Sequence, residues 1–146
     1  MNAVGQYVVS WSGNGPGDAG GVFFQRYSSG LVVDTISNTS DGTTTSIATL
    51  LANKGGDGRI SLREAITAAN NSANVGGPDR IYFNIPGAGV RTINVASQLP
   101  YITDALLIDG TTQTGYAGSP LIEIDGQGTV AEGLYLDTGS SGSTIK

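Results

Sequence analysis

The stretch from Asn53 to Glu64 carries oxygen-bearing side chains at the spacing of a calcium-binding loop. With Asn53 at the first position, Asp57 is fifth, Gly58 sixth and Glu64 twelfth, which matches the turn glycine and the final carboxylate of an EF-hand. The third position is Gly55, which has no side-chain oxygen, and Asn53 offers only an amide. Asp57 and Glu64 are therefore the only carboxylates available to a calcium ion in this loop.

The same residues also predict the start of a helix over residues 61–70. Ser61 is a good N-cap, and Glu64 three residues later can accept from the Ser61 N–H, which makes a capping box. The apolar stripe of this helix consists of Leu62, Ala65, Ile66 and Ala69. We expect Arg63, Glu64 and Thr67 on the solvent side. Because capping accounts for Glu64, we prefer the helix to the calcium loop.

A second calcium candidate is the glycine-rich stretch 13–21, which contains Asn14 and Asp18. Calcium accepts ligands from flexible oxygen-rich loops, but it takes 6 to 8 oxygens and this stretch offers one carboxylate. The alternative, a turn-rich hairpin loop without a metal, accounts for the same glycines.

Several acidic residues are candidates for carboxylate catalysis: Asp104, Asp109, Glu123, Asp125 and Asp137. Glu123 lies between two isoleucines, so we expect it to face outward, near Asp109 or Asp125 of an adjacent coil. Two carboxylates about 5 to 9.5 Å apart across a cleft are what a glycosidase requires. An Asp before Gly is more simply a turn residue, and we expect no catalysis within this chain.

Aromatic side chains could stack on sugar rings if several lined one face, although packing is the simpler role for a tyrosine on a β surface. The candidates are Tyr7, Trp11, Tyr27, Tyr82, Tyr101, Tyr116 and Tyr135.

Composition excludes several classes of function. The 146 residues include no Cys and no His, so thiolate sites, disulfides and imidazole bases are excluded. The net charge is -5 with no run of Lys or Arg, which argues against nucleic-acid binding. No apolar window is long enough for a membrane span, and the first residues do not form a signal peptide.

The chain divides into two predicted blocks. Residues 1–29 contain two aromatic and β-branched runs separated by residues 12–20, which predicts a β-hairpin with a long loop. Residues 30–146 begin with a strand at 31–33, and residues 46–53 are either a short helix or a strand. After the helix, short strand-like runs recur at 80–85, 92–96, 105–110, 121–126, 133–137 and 143–146.

The sequence Ile-Asp-Gly occurs twice, at 108–110 and 124–126, which suggests a repeating unit of a dozen to two dozen residues. Short strands at such intervals favour a mainly β solenoid over a meander. The helix over 61–70 would then cover the open end of the solenoid core. The chain ends within a strand-like run, so we expect it to be part of a longer protein.

The segments "SLREAITAAN", "DRIYFNIPG" and "TINVASQLPYITDALLIDGTTQTGYAGSPLIEIDG" resemble the CSLREA-type N-terminal region of bacterial right-handed parallel β-helix, pectin-lyase-like proteins. The resemblance spans residues 31–146, and the Cys that names the family is absent. Residues 1–29 resemble, over a shorter stretch, the tail of a β repeat found in large calcium-dependent secreted proteins.

These resemblances imply the start of a right-handed parallel β-helix with a capping helix, preceded by a hairpin. They also imply an extracellular or cell-surface location and an adhesin-like scaffold that contacts polysaccharide or host surface components. The alternatives are the N-terminal portion of a polysaccharide lyase or glycoside hydrolase, and a calcium-stabilised binding module.

Overall fold

The protein is mainly β, with parallel strands and two short helices in the part of the chain described by the computed structural model, which covers residues 7–15, 18–27 and 30–146. The hairpin consists of β1 (Tyr7–Gly15) and β2 (Asp18–Tyr27). The later elements are β3 (Leu31–Val33), α1 (Ile47–Ala52), α2 (Leu62–Asn70), β4 (Asp79–Phe83), β5 (Arg91–Asn94), β6 (Leu106–Asp109), a 3-10 turn (Gly110–Thr112), β7 (Ile122–Asp125) and β8 (Thr144–Ile145).

The hairpin pairs antiparallel, as the two aromatic runs predict, but its loop is not long. The strands continue through the glycine-rich stretch, with Gly13 opposite Gly21 and Gly15 opposite Asp18. Glycine lacks a side chain but keeps both backbone hydrogen-bonding groups, so it can extend a ladder as other residues do. The prediction of a loop over 12–20 was therefore wrong.

From β4 onward the chain passes twice through the same three positions. β4, β5 and Ile102 make the first pass, and β6, β7 and Leu136 make the second. Every pairing between the two passes is parallel. β3 and β8 extend the first sheet on either side, in the order β3-β4-β6-β8, and β5 pairs with β7 in a second sheet.

The two Ile-Asp-Gly sequences are not equivalent positions of successive passes. Ile108 pairs with Ile81, whereas Ile124 pairs with Ile93, so the two motifs lie in different sheets. Equivalent residues of the two passes are 27, 31 and 34 apart in sequence at the three positions, which makes the predicted repeat of a dozen to two dozen residues too short. The predicted strand at 133–137 is also wrong, because Leu136 contributes a single bridge to Ile102.

The core is a set of apolar side chains stacked between the passes. Leu31, Ile81 and Ile108 are buried at successive levels of the first sheet, whereas Ile145 on β8 is 45% exposed. The bridge on the third side behaves alike, with Ile102 fully buried and Leu136 46% exposed. Burial therefore decreases from the helical side of the stack towards its last strand.

A side chain closes one corner of the first pass. Gln113 is buried, and its Oε1 accepts from the Ile85 N–H at 2.9 Å while its Nε2 donates to the Ile85 carbonyl at 2.9 Å. One amide side chain thus satisfies both backbone groups of Ile85, as a neighbouring strand would.

Helix α2 closes the helical side of the core. Its apolar stripe, Leu62, Ala65, Ile66 and Ala69, is buried together with Ala68, and the helix packs against β3 and β4. Ser61 is the N-cap and forms the capping box with Glu64. The open choice for residues 46–53 resolves as helix α1, with Ser46 as N-cap, and α1 packs against α2.

Glu64 does not face solvent, so that prediction was wrong. Its side chain is 1% exposed, with Oε1 accepting from the N–H groups of Asp41 (2.9 Å) and Gly42 (2.7 Å) and Oε2 accepting from the Ser61 N–H (2.9 Å). The segment before α1 folds back over the start of α2 and buries Glu64. Two backbone N–H groups of that segment donate to the Glu64 carboxylate. Helical periodicity alone does not reveal such a covering segment.

No helix within the described residues is long and apolar enough to cross a membrane.

Glu64→Gln tests this buried carboxylate. One of the two acceptor oxygens becomes an NH₂ group that faces N–H donors, so we expect the free energy of unfolding to fall by about 2–4 kcal/mol. Urea denaturation followed by circular dichroism measures the loss. Glu132→Gln, at an exposed glutamate, is the matched control and should change stability by less than about 0.5 kcal/mol. Equal stabilities of the two variants would contradict the role given to Glu64.

Candidate functional site

The residues of the calcium-like loop make other contacts. Asn53 Oδ1 accepts from the Gly55 N–H, Asp57 Oδ1 accepts from the Arg59 N–H, and Glu64 holds the capping network. Among the side chains that the structure describes, no group of three or more acidic, His or Cys residues could hold a metal ion. Calcium at this loop stays a prediction that these contacts do not favour.

The second calcium candidates lie on the hairpin. Asn14 belongs to β1 and Asp18 to β2, where Asp18 pairs with Gly15. Their side chains lie outside the described part of the structure, as do those of Tyr7, Trp11 and Tyr27.

The acidic residues considered for catalysis are dispersed. Glu123 lies on β7 opposite Thr92, whose hydroxyl donates to it at 2.6 Å. Asp109 ends β6 in the other sheet, and Asp125 lies two residues along the same strand as Glu123. Glu123 and Asp109 are therefore not equivalent residues of adjacent coils, because both belong to the second pass and their strands lie in different sheets.

Of the tyrosines considered for sugar stacking, two meet on the third side of the passes. The rings of Tyr101 and Tyr135 are 4.4 Å apart between centroids and tilted by 35°, and both side chains are partly exposed. They precede the bridged residues Ile102 and Leu136, so the parallel pairing stacks them. The contact accounts for the pair by packing, which is the simpler of its two predicted roles.

A groove of about 610 Å³ runs beside β5. Its polar lining includes both signs of charge, from Arg59, Arg91 and Asp34, and exposed Ile36 and Val90 add apolar walls. Mixed apolar and polar lining of this kind is typical of ligand sites. The lining thus offers both hydrogen-bonding groups and apolar contacts to a ligand.

Arg91 forms the floor of this groove. It occupies an inward-facing position at the start of β5 and is only 6% exposed. Its guanidinium donates to the carbonyls of Ile85, Gly87 and Gly89, so the charge is held by backbone dipoles of the loop it closes. No carboxylate pairs with Arg91 among the described ion pairs. The lining of the groove therefore combines a buried guanidinium with the Arg59–Asp34 ion pair.

A second buried charge, Asp79, opens β4. Alternation places it on the same inward face as Ile81 and Phe83, and it is 6% exposed. Its Oδ2 is buried and has no hydrogen-bond partner. Burial, and secondarily the negative charge of Asp104, raises the pKa of Asp79 to about 6. Sequence reasoning missed this residue, although its spacing of two from Ile81 indicates that both lie on the same face of the strand.

Asp109 shows the opposite outcome for a buried aspartate. Burial alone would raise its pKa, but hydrogen bonds from Thr111 and the Lys146 ammonium, 3.0 Å away, outweigh burial and lower the pKa. The difference between Asp79 and Asp109 is the supply of partners, since both side chains are mostly withdrawn from water.

An apolar hollow of about 310 Å³ lies at the opposite end of the core from α2. It is lined chiefly by side chains of the second pass and of β8, namely Ile108, Ile122, Ile124, Leu134 and Ile145. Ile108 is buried, whereas Ile122, Ile124 and Leu134 are only partly buried and Ile145 is exposed, because no further layer covers them within the described chain.

Comparison with protein-family models, with curated proteins and with solved structures finds no match for this chain. The resemblance to the CSLREA-type region and to the calcium-dependent repeat stays a hypothesis.

Asp79→Asn tests the buried carboxyl. Ionised Asp79 costs folding energy, so the wild type is relatively most stable below pH about 4 and loses stability as pH rises through 6. A shift from 3.8 to about 6 corresponds to roughly 3 kcal/mol. Without divalent cations, Asp79→Asn should lack this loss and be the more stable protein at pH 7 in urea denaturation.

Asp57→Asn, at an exposed aspartate, controls for the change in net charge. If the difference in stability between wild type and Asp79→Asn is the same at pH 4 and at pH 7, the assignment of Asp79 as a buried carboxyl with a raised pKa is wrong.

Proposed function

We propose that residues 30–146 are the capped start of a right-handed parallel β-helix and serve as a non-enzymatic scaffold in a secreted or surface-attached protein. The observation that carries this proposal is the parallel pairing of two successive passes at three positions. Such pairing is what a solenoid requires, because each coil contacts only its neighbours.

Helix α2 supports the proposal from the other direction. A solenoid core is open at both ends, and an uncovered end exposes apolar side chains and unpaired strand edges. Here the buried stripe of α2 lies against β3 and β4, and its capping box satisfies the helix start. The helix thus does the work of a terminal cap.

An adhesin-like role assigns the groove beside β5 to a ligand. Its polar floor at Arg91 and its exposed walls at Ile36 and Val90 suit a sugar chain, whose rings combine hydroxyl groups with apolar faces. Polysaccharide or a host surface component is therefore the partner we propose. The absence of Cys and His is compatible with an extracellular location. Protease treatment of intact cells tests that location.

The enzymatic alternative receives less support from the described residues. A hydrolase needs two carboxylates facing each other across a cleft, and Glu123 and Asp109 lie in different sheets. The groove beside β5 contains Asp34, which already accepts from the Ile60 N–H and pairs with Arg59. Binding without bond cleavage is the function that fits this lining.

Retention on immobilised acidic and neutral polysaccharides, with release of reducing ends measured in parallel, tests the proposed function. We expect retention without cleavage, and a weakening of at least about tenfold in Val90→Asp, since a charge on the apolar wall costs on the order of 1.4 kcal/mol or more of binding energy.

Val75→Asp is the matched control, because Val75 is 51% exposed, close to the 56% of Val90, and does not line the groove. Cleavage by the wild type would replace the scaffold role with the enzymatic one. Equal weakening by both variants, or no retention at all, would remove the groove as a binding site.

A further inference from the structure

The corner where β4 begins holds two carboxylates that have few partners. Asp79 is only 6% exposed, and its Oδ2 is buried without a hydrogen bond. In the parallel register Asp79 lies level with Leu106, and Asp104 is two residues before Leu106 on the neighbouring pass. The corner therefore brings together two residues that are distant in sequence.

Hydrogen bonds of neighbouring oxygen-bearing groups also join the segments that carry this pair. Asn74 Oδ1 accepts from the Asp79 N–H at 2.6 Å, and Asn74 Nδ2 donates to the Ala105 carbonyl at 2.9 Å. Asp104 uses Oδ1 to accept from the Ala105 N–H at 2.8 Å. Asn74 thus links the start of β4 to Ala105, the residue after Asp104, so the corner contains oxygen atoms of both carboxylates, the Asn74 amide and the Ala105 backbone.

Neither carboxylate has a cationic partner in the part of the chain that the structure describes. The described ion pairs join Arg59 to Asp34 and Lys146 to Asp109. The charge of Asp104 raises the pKa of Asp79, so the two groups repel each other when both are ionised. A buried carboxylate oxygen without any donor is costly, and a bound cation removes that cost.

We propose that the Asp79–Asp104 corner binds a hard divalent cation of the calcium type, with Asp79 Oδ2 as its buried ligand and Asp104 as its solvent-side ligand. Calcium takes oxygen ligands from carboxylates, amide and backbone carbonyls, and water, in flexible geometry. The cation would tie the start of β4 to the segment before β6 and so join the two passes. This site differs from the loop at 53–64 and from the hairpin, and it does not depend on the proposed scaffold role.

Thermal unfolding of the 146-residue chain at pH 8, in EDTA and in millimolar CaCl₂, tests the site. The variants are Asp79→Asn and Asp104→Asn, with Asp57→Asn as the control in the calcium-like loop. We expect calcium to raise the melting temperature of wild type and Asp57→Asn by about 5 °C, and to leave Asp79→Asn and Asp104→Asn unchanged. Calorimetric titration should give one site in the wild type.

We expect Asp79→Asn to fold, because it removes a buried charge and should be at least as stable as wild type in EDTA. No calcium response in the wild type would overturn the proposal and leave the corner to water. A response that survives in Asp79→Asn would overturn it as well, and a response lost only in Asp57→Asn would move the cation to the 53–64 loop.

Discussion

The architecture depends on a carboxylate that lies inside the protein and accepts hydrogen bonds from backbone donors. Glu64 accepts from the N–H groups of Asp41, Gly42 and Ser61, which belong to two separate segments. The Ser61 hydroxyl carries a single proton, placed between the Thr39 carbonyl at 2.6 Å and Glu64 Oε2 at 3.0 Å. These contacts hold the segment before α1 against the first turn of α2, and only then can α2 lie over the core. A Cβ on Gly42 would come within 2.7 Å of Leu50 and 3.0 Å of Glu64 Oε1, so glycine is needed for this approach.

The other buried charges show how differently one fold can treat them. Arg91 and Asp79 both occupy inward positions at the start of a strand in the first pass, where the second pass has Ile122 and Leu106. Arg91 is a donor, and a turning loop supplies it with carbonyl acceptors. Asp79 is an acceptor, and no donor among the described residues reaches its Oδ2. The cation therefore has the partners that its chemistry requires and the anion does not, which is why the two residues lead to different proposals.

Local signals in the sequence predicted local structure well. The capping box at Ser61 and Glu64, the apolar stripe of α2, and most of the short strands follow from spacing and residue type, and the structure contains them. Properties that arise between distant segments were not predictable in this way. The burial of Glu64 requires a covering segment whose Gly42 is 22 residues away. The Gln113 side chain likewise bonds to the backbone of Ile85, 28 residues away. The register that separates Asp109 from Glu123 likewise depends on corner geometry, which residue type does not specify.

The decrease in burial from α2 to β8 also implies an order of assembly. In a stack where each layer contacts only its neighbours, each layer is stabilised by the layers beside it. The strands against α2 are covered by that helix and by the next strands of the sheet, whereas the last described strand pairs with β6 alone, through Leu107 and Ile108. Folding should therefore begin at the helical end and advance strand by strand in the direction of synthesis, with each finished layer acting as the template for the next.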